Sequence, residues 1–140
     1  MLSQTSEYAL RAMVCLAGQT DRLTPTPVLA KAADVPNNYL AKVLQMLSSA
    51  DLVSGRRGVG GGYRLAREAN QIRLLDIVNA VDSGKWLRAS SVTQDPALGA
   101  LQRRLEEASL GVVRLLGQTT LDDVLCAADN GCSMVRPLAS

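Results

Sequence analysis

The constraint that acts hardest on this chain is a pair of short apolar stripes separated by a tight break. Val28, Leu29, Ala32 and Ala33 are spaced for the buried face of one helix. Ala33-Asp34-Val35-Pro36 interrupts that pattern, and Leu40, Val43, Leu44 and Leu47 then line one side of a further helix ending near Ser49. Two short helices joined by so tight a turn form a helix-turn-helix. Thr26 is placed to cap the first of them, with Pro27 at its opening position. Upstream, Leu10, Met13, Val14 and Ala17 recur at i, i+3, i+4 and i+7, which predicts an amphipathic helix from Glu7 to Ala17, ended by Gly18.

After the helix pair, Leu52-Val53-Ser54 reads as a brief strand and Tyr63-Arg64-Leu65 as its return. Between them lies the glycine-rich stretch Arg56-Arg57-Gly58-Val59-Gly60-Gly61-Gly62. A hairpin directly behind a helix-turn-helix is a wing. Ile72, Leu75, Ile77, Val78 and Val81 support a fourth helix running to about Asp82, and Ser83 to Asp95 has loop composition around Trp86. Pro96 then opens a long element in which Leu98, Leu101, Leu105, Ala108, Val112 and Leu115 keep heptad spacing. At about 1.5 Å per residue, Pro96 to Leu116 would extend roughly 31 Å. So little chain remains to cover this rod that a second copy is its expected partner. The alternative is an ordinary core helix of a monomer, since the seam is short and Gly111 weakens it. Thr120 and Asp123 form a capping-box pattern for a last short helix, Leu121 to Ala127, and the tail after Asn130 is expected to fray.

The 140 residues suffice for one domain, and 47% apolar against 20% charged residues excludes a disordered chain. Aromatic residues make up only 3%, with no Phe, so aliphatic side chains must fill the core, which helices accommodate most easily. The expected fold is mainly α with a small β-hairpin wing: a winged helix-turn-helix over residues 1–82, a loop at 83–95, a pairing helix and short terminal helix at 96–128, and a tail at 129–140. The chain has no histidine, which removes Ser/His/Asp and Cys/His catalysis and imidazole zinc sites. Neither paired carboxylates nor a nucleophile with a base appear at workable spacing, and the adjacent Asp122 and Asp123 point to different faces of a helix start. No enzymatic activity is expected. Three cysteines, Cys15, Cys126 and Cys132, suit reduced thiols better than a disulfide framework. The longest N-terminal apolar stretch, Ala12 to Ala17, is too short for a signal core or membrane span, so the cytoplasm is the expected location, without membrane contact.

Charge is distributed unevenly. Residues 1–75 carry nine Lys/Arg against five Asp/Glu, whereas residues 76–140 carry six against eight. A polyanion is therefore the expected partner of the first half. On the second helix of the pair, the face opposite the leucines carries Asn38, Lys42 and Gln45, with Asn37 and Tyr39 at its start. Asn and Gln bond adenine edges, and Lys reaches guanine or phosphate. On any surface helix these residues can equally well face only water. At the wing, Gly60 and Gly61 allow a close approach to a sugar-phosphate wall, Arg56 and Arg57 suit a minor groove, and Tyr63 and Arg64 follow on the returning strand. A nucleotide-binding loop fails on spacing, because no Gly-Lys-Ser/Thr ends the run.

The segments Ser6-Glu7-Tyr8-Ala9-Leu10-Arg11-Ala12-Met13, Tyr39-Leu40, Gly58 through Ala66 and Ile72 through Asp82 together resemble the Rrf family of bacterial winged-helix regulators. The resemblance covers about residues 1–125. It implies a homodimer on a palindromic double-stranded DNA operator, with residues 37–48 in the major groove and the wing in the flanking minor groove. Iron–sulfur members of that family carry three close cysteines in the loop before the dimer helix, whereas residues 83–95 hold none here. Cys126 and Cys132 are the remaining candidate metal ligands, and two such pairs total four only across a dimer axis. The blander reading has Cys126 buried and Cys132 in the tail. Some members also draw a carboxylate near Glu7 toward the cluster; without the cysteines, Glu7 reads as a charge favourable at a helix N-terminus. Cys15 reads first as a small core residue.

The leading expectation is thus a dimeric, sequence-specific DNA-binding transcription regulator, a repressor, without cofactor and with an unknown effector. The rival keeps the DNA binding and adds a redox or metal switch through Cys15, Cys126 or Cys132. A third reading uses the winged helix for protein contacts, since fold alone does not dictate function.

Overall fold

The computed structural model describes residues 2–19, 22–82 and 94–129. Helices α1 (Gln4–Ala17), α2 (Thr26–Ala33) and α3 (Asn37–Ser49) are followed by strands β1 (Val53–Arg56) and β2 (Gly62–Leu65). A single 3-10 turn (Ala69–Gln71) leads to α4 (Leu74–Asp82), and α5 (Pro96–Gln118) and α6 (Leu121–Ala128) complete the described chain. The mainly helical fold with one antiparallel hairpin is the expected one.

One core holds the helices together. Ala9, Ala12, Met13 and Leu16 of α1 are buried with Leu29 of α2, Leu40, Val43, Leu44 and Leu47 of α3, and Ile77 of α4. The buried side of α1 is rotated from the expected stripe, and Leu10 and Val14 only flank it. Alanines fill the centre because α1 packs on α2, α3, α4 and α6 at once, and small side chains let several backbones approach it. The first helix also begins earlier than Glu7: the Ser3 side chain caps it by accepting the Ser6 backbone N–H at 3.1 Å.

The turn between α2 and α3 depends on Asp34, which ends α2 in the left-handed conformation at φ 56°. Val35 then donates its N–H to the Ala30 carbonyl at 2.9 Å and is itself buried. Two expectations for α2 are corrected. Thr26 is the first helical residue and makes no capping bond, Pro25 holding the cap position. Val28 is 57% exposed and Ala32 is exposed, because Ala30 takes the inward position next to the turn.

Ile72 is fully buried but extended, and α4 starts only at Leu74. The segment Ile72–Arg73, bridged through Arg73 to Thr120, serves a second purpose. Leu74 donates to the Thr119 carbonyl and Leu121 donates to the Ile72 carbonyl, each at 2.9 Å, which clamps the junction of α5 and α6 to the start of α4. The clamp is extended by Arg73, which donates through Nη1 to the Gly117 carbonyl at 2.8 Å. Thr120 and Asp123 complete the expected capping box, and Leu121 of α6 enters the common core. The C-terminal end of α5 is therefore anchored, with Leu116 buried, while its N-terminal part extends as a largely exposed rod. At 23 residues the helix is about 35 Å long.

Because Leu121 lies in the same core as α1, Leu121→Ala is expected to lower the stability of the whole domain by about 2–5 kcal/mol. Urea unfolding followed by far-UV circular dichroism checks this; an unchanged midpoint would mean that α6 is peripheral.

Candidate nucleic-acid interface

Helix α3 divides cleanly into two sides. Leu40, Val43, Leu44 and Leu47 are buried, whereas Asn37, Asn38, Ala41, Lys42 and Gln45 are exposed. Asn37 and Asn38 occupy the first turn behind Pro36, where backbone N–H groups lack helical partners and attract anions. Tyr39 is shared between the two sides. Its ring meets that of Tyr8 edge-on at 5.2 Å, and its hydroxyl is hydrogen-bonded to that of Thr5, so α1 holds it in place.

The wing is a short hairpin with Gly55 opposite Tyr63 and Arg56 opposite Gly62. Its tip closes through the Gly61 N–H bonded to the Gly58 carbonyl at 3.0 Å, with Gly58 and Gly60 at φ 97° and 77°. At its base Val53 enters the common core, with Tyr63 and Leu65 packed against it, and backbone bonds fasten the returning strand to the segment ahead of α2. Thr24 donates to the Tyr63 carbonyl at 2.8 Å and accepts from the Tyr63 N–H at 2.9 Å. The residues just ahead of α2 therefore act as a third, one-residue strand.

Glycine is required where these backbones meet. A Cβ on Gly62 would lie 2.4 Å from the Thr24 carbonyl, and one on Gly61 would lie 2.2 Å from the Arg56 carbonyl oxygen. Tyr63 is half-buried, its ring lying where a Cβ on Gly55 would stand 2.7 Å from it.

The bridge leaves an open cleft of about 760 Å³ between the start of α2, the end of α3 and the wing. Gln45, Arg56, Arg57, Gly61 and Tyr63 all line it, so these sequence candidates converge. Arg64 does not join them. It lines a separate hollow behind the hairpin with Leu16 and Arg67, because strand alternation sends it away from Tyr63. Thr26, Ser48 and Ser49 also line the cleft and were not anticipated. Their only signal in sequence was small hydroxyl residues at the ends of the two helices. Val59 was missed too: it is fully exposed at the wing tip between two glycines.

Among the described residues, none of Lys42, Arg56, Arg57 and Arg64 is paired with a carboxylate; the ion pair found there, Arg104 with Glu107, lies on α5. The wing arginines are thus uncompensated cations beside a polar cleft, arranged to attract a polyanion.

The seam residues of α5 lie on a partly solvent-facing side. Leu98, Leu101 and Leu105 are 54–55% exposed and Leu115 is 46% exposed, with Ala108 exposed and Val112 half-buried.

Cys15 on α1 and Cys126 on α6 are half-buried, whereas Cys132, Trp86 and most of the 83–95 loop lie outside the described residues. Burial pushes the Cys15 thiol above its ordinary pKa, opposite to what a metal-ligating thiolate needs. Among the described residues no three His, Cys, Asp or Glu side chains gather as a metal site, and the full chain holds three cysteines and no histidine. This donor set does not fit an iron–sulfur cluster with four thiolate ligands from one chain.

A winged helix-turn-helix with uncompensated cations on its wing defines a DNA-binding transcription regulator. Residues 2–127 match the model of the Rrf2 family, described as iron-dependent transcriptional regulators. The chain is 33% identical to the HTH-type transcriptional regulator IscR of Cereibacter sphaeroides over 147 aligned positions, covering 98% of this chain and 94% of that protein. It is 37% identical to protein Aau3 of Rhizobium meliloti over 81 residues, 58% of this chain and about half (53%) of that protein's length. The solved structure of CymR, the global cysteine regulator of B. subtilis, superposes with a TM-score of 0.74 at 28% identity, covering 92% of this chain and 98% of that one. The chain belongs to the Rrf2 family; its members and structural neighbours are transcriptional regulators and not enzymes.

Gly62→Ala is expected to break the Thr24–Tyr63 bridge, because an added methyl meets backbone that has no side chain to yield. Amide hydrogen exchange at Thr24 and Tyr63 is expected to accelerate by about 5-fold to 150-fold, matching the roughly 1–3 kcal/mol typical of overpacking. Unchanged protection at both amides would show that the wing is not fastened there.

Proposed function

We propose that the chain acts as a homodimeric repressor that blocks transcription by occupying a palindromic operator. Two copies pair along Leu98, Leu101, Leu105, Ala108, Val112 and Leu115, whose exposure in the single chain supports this reading. Each copy then lays α3 in a major groove, where Asn37, Asn38, Lys42 and Gln45 reach base edges and phosphates. Arg56 and Arg57 enter the adjoining minor groove, Gly60 and Gly61 bring the wing backbone against the strand, and Tyr63 supports the tip from beneath. Tyr39 contributes by position as well as contact, since α1 fixes its ring. Arg64, behind the hairpin, acts on the duplex only through long-range charge.

The single observation that carries this reading is the cleft in which Gln45 of α3 and Arg56 and Arg57 of the wing stand together. A duplex strand seated there would touch the reading helix and the wing at once. A wing used for protein contacts would not need its cations left unpaired beside a polar hollow.

The proposed repressor works without a resident iron–sulfur cluster, on the chemistry of its donors: few thiols, no imidazole, and a Cys15 kept protonated by burial. The same chemistry weighs against a Cys15 thiol switch. The proposed location is the cytoplasm, where a chromosomal operator would be met; among the described residues no helix is long and apolar enough to cross a membrane.

Arg57→Ala is expected to leave the thermal midpoint unchanged while weakening operator binding by about 1–3 kcal/mol and reducing the slope of log K against log salt by about one. Leu105→Glu is expected to sediment as a monomer and to lose most operator affinity. Full affinity in Arg57→Ala would remove the wing from the interface, and a dimeric Leu105→Glu would remove the seam. Protein purified without oxygen is expected to show no absorbance band between about 300 and 450 nm; a band there would overturn the cofactor-free reading.

A further inference from the structure

Asp82 is the last residue of α4, yet its carboxylate belongs equally to the first turn of α1. Ser3 and Ser6 both donate their hydroxyls to the same oxygen, Asp82 Oδ2, each at 2.5 Å. Such short O–H···O⁻ contacts are the charge-assisted kind, about twice as strong as neutral ones. The Ser6 side chain is wholly buried, and Ser3 Oγ also accepts the Ser6 backbone N–H, so one hydroxyl both caps α1 and fastens it to α4. A negative charge at this helix N-terminus is further favoured by the helix dipole.

The neighbouring face of the same turn holds the reading helix. Thr5 is hydrogen-bonded to the Tyr39 hydroxyl, and Tyr8 stacks edge-on against the Tyr39 ring. Gln4 donates through Nε2 to the Tyr8 hydroxyl at 2.8 Å, and the Arg11 guanidinium lies 5.9 Å from the Tyr8 ring centre. Residues 3 to 8 therefore grip the end of α4 with one side and the start of α3 with the other. Within one and a half turns of helix these two grips cannot move independently.

We propose that Asp82 is a positioning residue for DNA reading. Through Ser3 and Ser6 it sets α1's first turn, through Thr5 and Tyr8 that turn sets Tyr39, and Tyr39 orients the α3 turn bearing Asn37 and Asn38. Helix α4 also packs on α5, so a change in how the pairing helix sits reaches the operator along this route. The inference rests on α3 being the reading helix. A bland alternative makes Asp82 a local cap, adding stability with no influence on Tyr39.

The test compares the wild type, Asp82→Ala, Tyr39→Phe and the double variant, using full-length protein. Ring-proton NMR signals of Tyr8 and Tyr39 are recorded without DNA, and operator affinity is measured at one salt concentration. Asp82→Ala is expected to shift both ring signals and to weaken binding about tenfold, the scale at which residues along such a network modulate coupling. Once Tyr39→Phe has removed the hydroxyl, adding Asp82→Ala is expected to cost little more. Should Asp82→Ala not fold, Ser6→Ala removes one donor at small volume change and is expected to move the same signals. Unmoved Tyr39 signals, strictly multiplicative losses in the double variant, or a lowered thermal midpoint with unchanged affinity would each overturn the proposal alone. A wild-type protein that binds no duplex would overturn the reading of α3 and the proposal with it.

Discussion

Everything in this fold depends on the alanine-rich side of α1. Ala9, Ala12, Met13 and Leu16 are buried on a helix that packs against four others and the wing base, so α1 serves as the post on which the short elements are mounted. Helices of eight and thirteen residues, such as α2 and α3, are marginal in isolation and draw their order from this packing. Alanine is the residue type that makes the arrangement possible. Larger side chains there would push the surrounding backbones apart, and the outward sides of α3 and the wing would no longer share one surface.

A second constraint acts through the backbone. The wing has too little buried area to hold itself, since an isolated two-stranded hairpin is at best marginally stable. The Thr24–Tyr63 bonds lend it a third partner and fix it against the start of α2. This is why the glycines matter individually. Gly58 and Gly60 supply backbone torsions at the tip, whereas Gly61 and Gly62 leave room where chains nearly touch. Two uncompensated arginines are held by this device next to Gln45.

Much of this was legible in the sequence because the signals were periodic or carried by special residues. The α3 stripe, the break at Asp34 and Pro36, the glycine tip and the Thr120–Asp123 cap were each written in a short window. What the sequence did not disclose arises from contacts between distant segments. The rotation of α1 toward its alanines needed knowledge of how many helices crowd it, and the exposure of Val28 followed from Ala30 taking the inward position on α2. Thr26 resembled a cap but sits inside α2, because Pro25 already supplies the extended backbone of the cap position. The split between Arg64 and the other wing cations follows from strand alternation and was not drawn from charge counting. Ser48, Ser49 and Thr26 face the cleft only because the Thr24–Tyr63 bridge builds it.

The central claim is that two copies, zipped along α5, present paired α3 helices and wings to one face of a duplex. Selection of bound sequences from a random duplex pool, followed by hydroxyl-radical footprinting of the winners, tests it most directly. The expected result is an inverted repeat with half-sites centred about one helical turn apart, or a multiple of it, and protected minor-groove sugars flanking each half. A selected site without two-fold symmetry, or one with no minor-groove protection beyond the half-sites, would contradict it.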